Sequence, residues 1–170
     1  MKKVVTLLNS MVADQVIKGY ALFGAVAQMR YTEAVATLDA DVLVSLPSDG
    51  GPDVLSPVYR YCESRGYRPE GEAIRVGDWP VQFIPVYNSL SEEALREAEP
   101  DEFEGVPVRV VRANYLAVIA LSVGRHKDYL RILALLDSGF ADRKTISEIA
   151  SRHGLAGAWE QFKEKFVNND

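Results

Sequence analysis

Residues 20–46, YALFGAVAQMRYTEAVATLDADVLVSL, constrain this chain more than any other stretch. Two apolar runs are joined here, the first ending in a glycine and the second carrying two aspartates. Tyr20-Ala21-Leu22-Phe23 is too short for a helix and stops at Gly24-Ala25, so it reads as a strand feeding a turn. Residues 38–46 read as a second strand. Side chains alternate along a strand, so Leu38, Ala40, Val42 and Val44 share one face. Asp39 and Asp41 fall together on the other, with Leu43 and Ser45. Adjacent carboxylates raise one another's pKa unless a cation lies between them. A hard divalent ion, Mg²⁺ or Mn²⁺, takes oxygen ligands and commonly combines one or two carboxylates with substrate phosphates. The competing reading is an edge strand whose two acids are simply solvated.

The rest of the composition narrows the class. A chain of 170 residues is one compact domain, or a domain with a small appendage, and can bury a useful core. A net charge of −5 argues against a surface dedicated to coating nucleic acid. The single cysteine, Cys62, excludes an internal disulfide and zinc-type spacing, and reads as a packed helix residue. The only histidines, His126 and His153, have no Ser-His-Asp or Cys-His setting. Apolar runs stay well short of the roughly 18 residues of a membrane span. Residues 1–14 lack the pattern of a secretory signal, so a cytoplasmic location is expected.

Along the chain, Val4, Leu7, Leu8, Met11, Val12 and Val16 recur at helical spacing, predicting a helix over 2–18 stopped by Gly19. Gly24 opens a strand-to-helix turn, which lets backbone approach a phosphate; taken alone it reads rather as a tight packing turn. Residues 47–52, PSDGGP, form a loop, and 53–65 a helix ending at Gly66. Residues 73–76 and 79–86 are two strands joined by Gly77-Asp78, a hairpin signal. Residues 91–98 read as a helix with Ser91 as N-cap. The acidic stretch from Glu92 to Glu104 reads as a solvated face plus loop. Residues 106–111 are a last strand, its Pro107 pointing to a sheet edge. From Ala113 on the pattern is helical, broken at Gly124-Arg125-His126-Lys127-Asp128 and again at Gly154. Arg125, Lys127 and Arg131 form the best local basic group, with Asp128 placed to pair with Lys127 or Arg131. An exposed helix junction with ordinary surface charges is the plain alternative.

Phe23-Gly24-Ala25 followed by Leu38-Asp39-Ala40-Asp41-Val42 resembles the signature of the nucleotidyltransferase superfamily, whose fold is that of the DNA polymerase beta palm. Residues 117–132, AVIALSVGRHKDYLRI, look like the Gly-Arg-x-Lys-Asp helix of minimal, AbiEii-like bacterial nucleotidyltransferases. Together the likeness spans about residues 10–135. It implies an α/β (α+β) fold: a small mixed sheet flanked by helices over 1–111, with a helical C-terminal part over 112–170. It implies that Asp39 and Asp41 hold Mg²⁺ (or Mn²⁺), that Asp39, Asp41 and Lys127 are catalytic, and that Gly24, Ala25, Gln82, Arg125, Lys127 and Arg131 bind the nucleotide.

Two departures from the family pattern stand out. In Val81-Gln82-Phe83-Ile84-Pro85, Gln82 occupies the place of a third acid; an amide can orient a water or a ribose hydroxyl but is no general base. Ala120 stands where relatives carry a lysine. Two functions therefore follow. One is an enzyme moving a nucleoside monophosphate from a nucleoside triphosphate to an acceptor hydroxyl. The other is a degenerate relative that binds nucleotide or protein without chemistry. The resemblance further implies an RNA or protein acceptor, a toxin–antitoxin setting, and a homo-oligomer or a cognate partner protein; the short apolar runs imply no membrane.

Overall fold

The computed structural model describes residues 1–48 and 51–168, so Asp49 and Gly50 of the expected 47–52 loop lie outside the described residues. The chain divides into two compact units, Met1–Ala27 with Ala36–Val111, and Gln28–Val35 with Arg112–Asp170.

The first unit is built on a seven-stranded mixed sheet. Its strands are β1 (Gly19–Phe23), β2 (Ala40–Ser45), β3 (Arg68–Glu70), β4 (Ala73–Val76), β5 (Trp79–Pro85), β6 (Glu99–Phe103) and β7 (Val106–Val110), in spatial order β3-β4-β5-β2-β1-β7-β6. β2 runs antiparallel to β1 and parallel to β5, which places it inside the sheet. Helices α1 (Lys2–Ala13), α3 (Ser56–Ser64) and α4 (Ser89–Arg96) belong to this unit, and the short α2 (Gly24–Gln28) follows β1. α1 buries Val4, Val5, Leu8 and Met11, the one-face pattern that its periodicity predicts. Tyr20 donates its hydroxyl to Asn9 Oδ1 at 2.8 Å, and Asn9 Nδ2 donates to the Pro107 carbonyl at 2.7 Å, tying α1 to the sheet. Burial pushes the Tyr20 phenol up to about 12. Burial likewise lifts the Cys62 thiol to about 11, which suits a packing residue and not a nucleophile.

Several boundaries differ from the sequence expectation. α1 ends at Ala13 rather than at Gly19, since Gln15 takes a positive φ of 59° and breaks the helix; Gly19 instead opens β1. β2 begins at Ala40, and Leu38, expected in the core, is 91% exposed. α3 starts at Ser56, with proline in its first turn. α4 is capped by Asn88, not Ser91. Asn88 Oδ1 accepts from Ser91 N at 2.8 Å, and Ser91 Oγ accepts from Asn88 N at 3.1 Å, a reciprocal capping box. The acidic 99–103 segment is the edge strand β6, so β7 lies one strand in. Pro107 is tolerated there because β1 pairs with β7 only at Leu22↔Val110, leaving the β1 side of Pro107 without a ladder partner.

The second unit is helical: α5 (Ala113–Val123), α6 (His126–Asp137), α7 (Arg143–Arg152) and α8 (Ala156–Phe166). α5 is largely apolar and buries Ala113 and every residue from Tyr115 to Leu121, as an interior helix does. Gly124 caps it at φ 72°, the left-handed conformation glycine adopts without strain. Ile132, Leu135, Ile146, Ile149, Ala150, Trp159 and Phe162 complete this core. Tyr129 packs 5.7 Å from Phe162 and 5.2 Å from Phe166, and Tyr31 packs 5.5 Å from Phe140.

Candidate active site

Three backbone elements of the first unit converge on Asp41. β2 carries it, with Ala40, Val42, Leu43 and Val44 fully buried around it, which excludes the edge-strand reading. On one side its register partner is Phe23, the last residue of β1. On the other its partner is Gln82 of β5. Register partners on neighbouring strands share a face of the sheet, so the Gln82 amide and the Asp41 carboxylate emerge side by side.

Gly24 follows Phe23 directly, at φ 60°. A Cβ built there would overlap Oδ2 of Asp41 and would lie 3.3 Å from its Cβ and Cγ. Any side chain at 24 would therefore meet strain and a clash together. This close approach is a packing contact between the turn and Asp41. The glycine leaves the Asp41 carboxylate room against the backbone of the β1–α2 turn.

Asp39 stands at a bend just before β2 rather than within it. It is half-buried, and its carbonyl accepts from the Thr37 hydroxyl at 2.8 Å. Asp39, Asp41 and Gln82 are all oxygen donors, and two of them are carboxylates, the hard-ligand chemistry that suits Mg²⁺ or Mn²⁺. Among the described residues no group of three or more His, Cys, Asp or Glu side chains gathers, so a divalent ion here would rely on substrate and water oxygens for its remaining ligands.

Arg125, Lys127 and Arg131 belong to the second unit. Arg125 precedes α6, and its Nε donates to Asp128 Oδ2 at 2.8 Å while its backbone N–H reaches the same oxygen at 3.1 Å. Asp128, with its side chain 2% exposed, thus pairs with Arg125 and not with Lys127 or Arg131. Three residues is the separation at which an N3 acid folds back on its own cap. The bond from Asp128 and its charge hold the Arg125 pKa above the ordinary arginine value. Arg131 Nε donates at 2.9 Å to Oε1 of Gln28, which is 5% exposed. Sequence reasoning missed Gln28, for a lone glutamine 103 residues from its partner leaves no local signal. Lys127 is exposed, and Ala120 lies in the apolar interior of α5 at 2% exposure.

No family model matches the chain, and no curated protein matches it significantly. Solved structures do. The solution structure of the antibiotic-resistance factor ANT(2'')-Ia superposes with a TM-score of 0.52 at 14% identity, covering 96% of this chain and 98% of that one. The crystal structure of an antigenic nucleotidyltransferase-like protein from Paracoccidioides brasiliensis gives 0.53 at 12% identity, covering 94% and 91%. The fold is that of a nucleotidyltransferase. The mixed α/β architecture that the resemblance implied is thereby shown. Among the described residues no helix is long and apolar enough to cross a membrane.

Proposed function

We propose that this protein is a nucleotidyltransferase that moves a nucleoside monophosphate from a nucleoside triphosphate to an acceptor hydroxyl. The reading rests on one observation: within this fold, Asp41 sits on an interior strand with Gly24 against its carboxylate. Asp39 and Asp41 would hold Mg²⁺ (or Mn²⁺). Bound there, the ion would neutralise phosphate charge and make the acceptor oxygen more nucleophilic. The backbone of Gly24 and Ala25 would face the phosphates. The acceptor oxygen forms a bond to the α-phosphorus, the bond from that phosphorus to the pyrophosphate oxygen breaks, and the hydroxyl proton passes to solvent. Gln82 cannot take that proton; its amide is suited to orienting a hydroxyl. Arg125, Lys127 and Arg131 enter this reading from the sequence pattern, as cations for the leaving pyrophosphate. The AbiEii-like resemblance adds an RNA or protein acceptor, a cognate partner protein and a toxin–antitoxin role to the proposal, and a cytoplasmic setting is proposed beside them.

Release of labelled pyrophosphate, measured with Mg²⁺ and with EDTA, tests it. Turnover that needs the cation and disappears in Asp41→Ala supports the enzyme; equal turnover in both proteins rejects it. The register of Gln82 against Asp41 favours a second reading, a nucleotide-binding relative without chemistry. Calorimetry showing Mg²⁺-dependent triphosphate binding without turnover, together with activity gained in Gln82→Asp, would select it.

A further inference from the structure

The first unit also carries a surface cavity of about 500 Å³, bounded by Lys2, Lys3, Thr6 and Leu7 of α1 and by Arg65 and Tyr67 after α3. It shares no lining residue with the Asp41 neighbourhood. Its volume falls in the range of small-molecule sites. In a chain of net charge −5 the cavity is lined, among the described residues, by three cationic side chains and no acid. Arg65 is held in place: its Nη2 donates to Asp14 Oδ2 at 3.1 Å, and its guanidinium stacks 3.6 Å from the centre of the Tyr61 ring. It still leaves 39% of its side chain exposed. A Cβ at Gly77 would lie 3.3 Å from Lys3 Cδ, so the glycine leaves a passage for the lysine stem. Lys2 and Lys3 stand in the first turn of α1, which has no acid and no side-chain cap. Cations there add to the positive end of the helix instead of offsetting it. The cavity also has an apolar side, from Leu7, 4% exposed, and the half-buried Tyr67.

We infer that this cavity binds a phosphate-bearing small molecule of nucleotide size, its phosphates held by Lys2, Lys3 and Arg65 and its ring laid against Tyr67 and Leu7. The site is independent of the proposed activity and needs no divalent ion. Calorimetry of the full chain with ATP in EDTA tests it, because chelation disables metal-dependent binding at Asp39 and Asp41. Saturable binding is expected, unchanged in Asp41→Asn and stronger than that of pyrophosphate alone. Lys2→Glu with Lys3→Glu should weaken it about tenfold or more, since one charge-assisted hydrogen bond to phosphate is worth about 1.4 kcal/mol or above. Thr6→Trp, which narrows the cavity without changing its charge, should weaken it as well. Circular dichroism matching the parent protein checks that each variant folds. No binding in EDTA, binding that survives the folded variants, or binding abolished in Asp41→Asn would overturn the assignment. Pyrophosphate binding as tightly as ATP would overturn the role given to Tyr67 and Leu7.

Discussion

Asp41 and Asp128 are both acids beside functional candidates, yet they are positioned by different means. Asp41 is fixed by backbone: β1, β2 and β5 set its register, and the missing side chain at Gly24 sets its clearance. Asp128 is fixed by its own neighbourhood, folding back over three residues to hold the N–H and guanidinium of Arg125. Its carboxylate is therefore spent on building the start of α6, whereas the carboxylate of Asp41 is directed by strands whose own hydrogen bonds are already made. The lesson is that two acids in similar motifs can be oriented by unrelated means, one by strand register and one by a local helix cap.

Substitutions can break that contrast. The largest effect is expected from Asp41→Asn, which keeps shape and removes charge. Pyrophosphate release should fall by about 10²–10³-fold, the size expected for one strong electrostatic interaction in a reacting centre, while the denaturation midpoint stays near the parent value. A matching fall in stability would show that Asp41, like Asp128, is structural. Gly24→Ala comes next. A left-handed conformation forced on alanine, plus the overlap with Asp41, should destabilise by about 2 kcal/mol and reduce turnover, read from urea unfolding and the same assay. Asp128→Ala should destabilise by about 1–3 kcal/mol through loss of the cap and of a buried acceptor, with Mg²⁺-dependent nucleotide binding retained.

The smallest effect sharpens the comparison within the second unit. Asp142 caps α7 by accepting from Thr145 N at 2.8 Å, and that bond lowers its pKa below the ordinary 3.8. A carboxylate with a depressed folded pKa contributes stability that is full above its unfolded pKa and is lost as pH falls through the folded one. Asp142→Ala should therefore destabilise by about 1 kcal/mol at neutral pH and by progressively less on acidification below pH ~4. A difference that is independent of pH in urea titrations would refute the cap.

How far this was legible follows from which interactions are local in sequence. The 3.6-residue and two-residue periodicities revealed α1, β1, β2, β5 and the C-terminal helices, because each buries one continuous face. The exposed β3 and the acidic β6 were invisible, since edge strands bury little and show no alternation. The Asn88 cap was obscured by Ser91, an equally good capping residue three positions on. At the site, the i, i+2 pattern pointed to Asp41, but the close approach of Gly24 depends on a strand turn meeting a neighbouring strand. Gln82 was recognisable as a departure, whereas its register against Asp41 needed the β2–β5 ladder. Arg125 with Asp128 lay within local reach and was still misassigned, because three residues separate an acid from both its cap and its helical neighbours.

Charge and proline mark both margins of the sheet. β6 offers Glu99, Pro100, Asp101 and Glu102 at one border, and β3 offers Arg68, Pro69 and Glu70 at the other. Each border combines a ring that lacks a donor with side chains that hold water firmly, which discourages an incoming strand from docking there. The array is thereby closed to lateral growth, and the glutamates and aspartate that looked like idle surface charge act as sentries against aggregation.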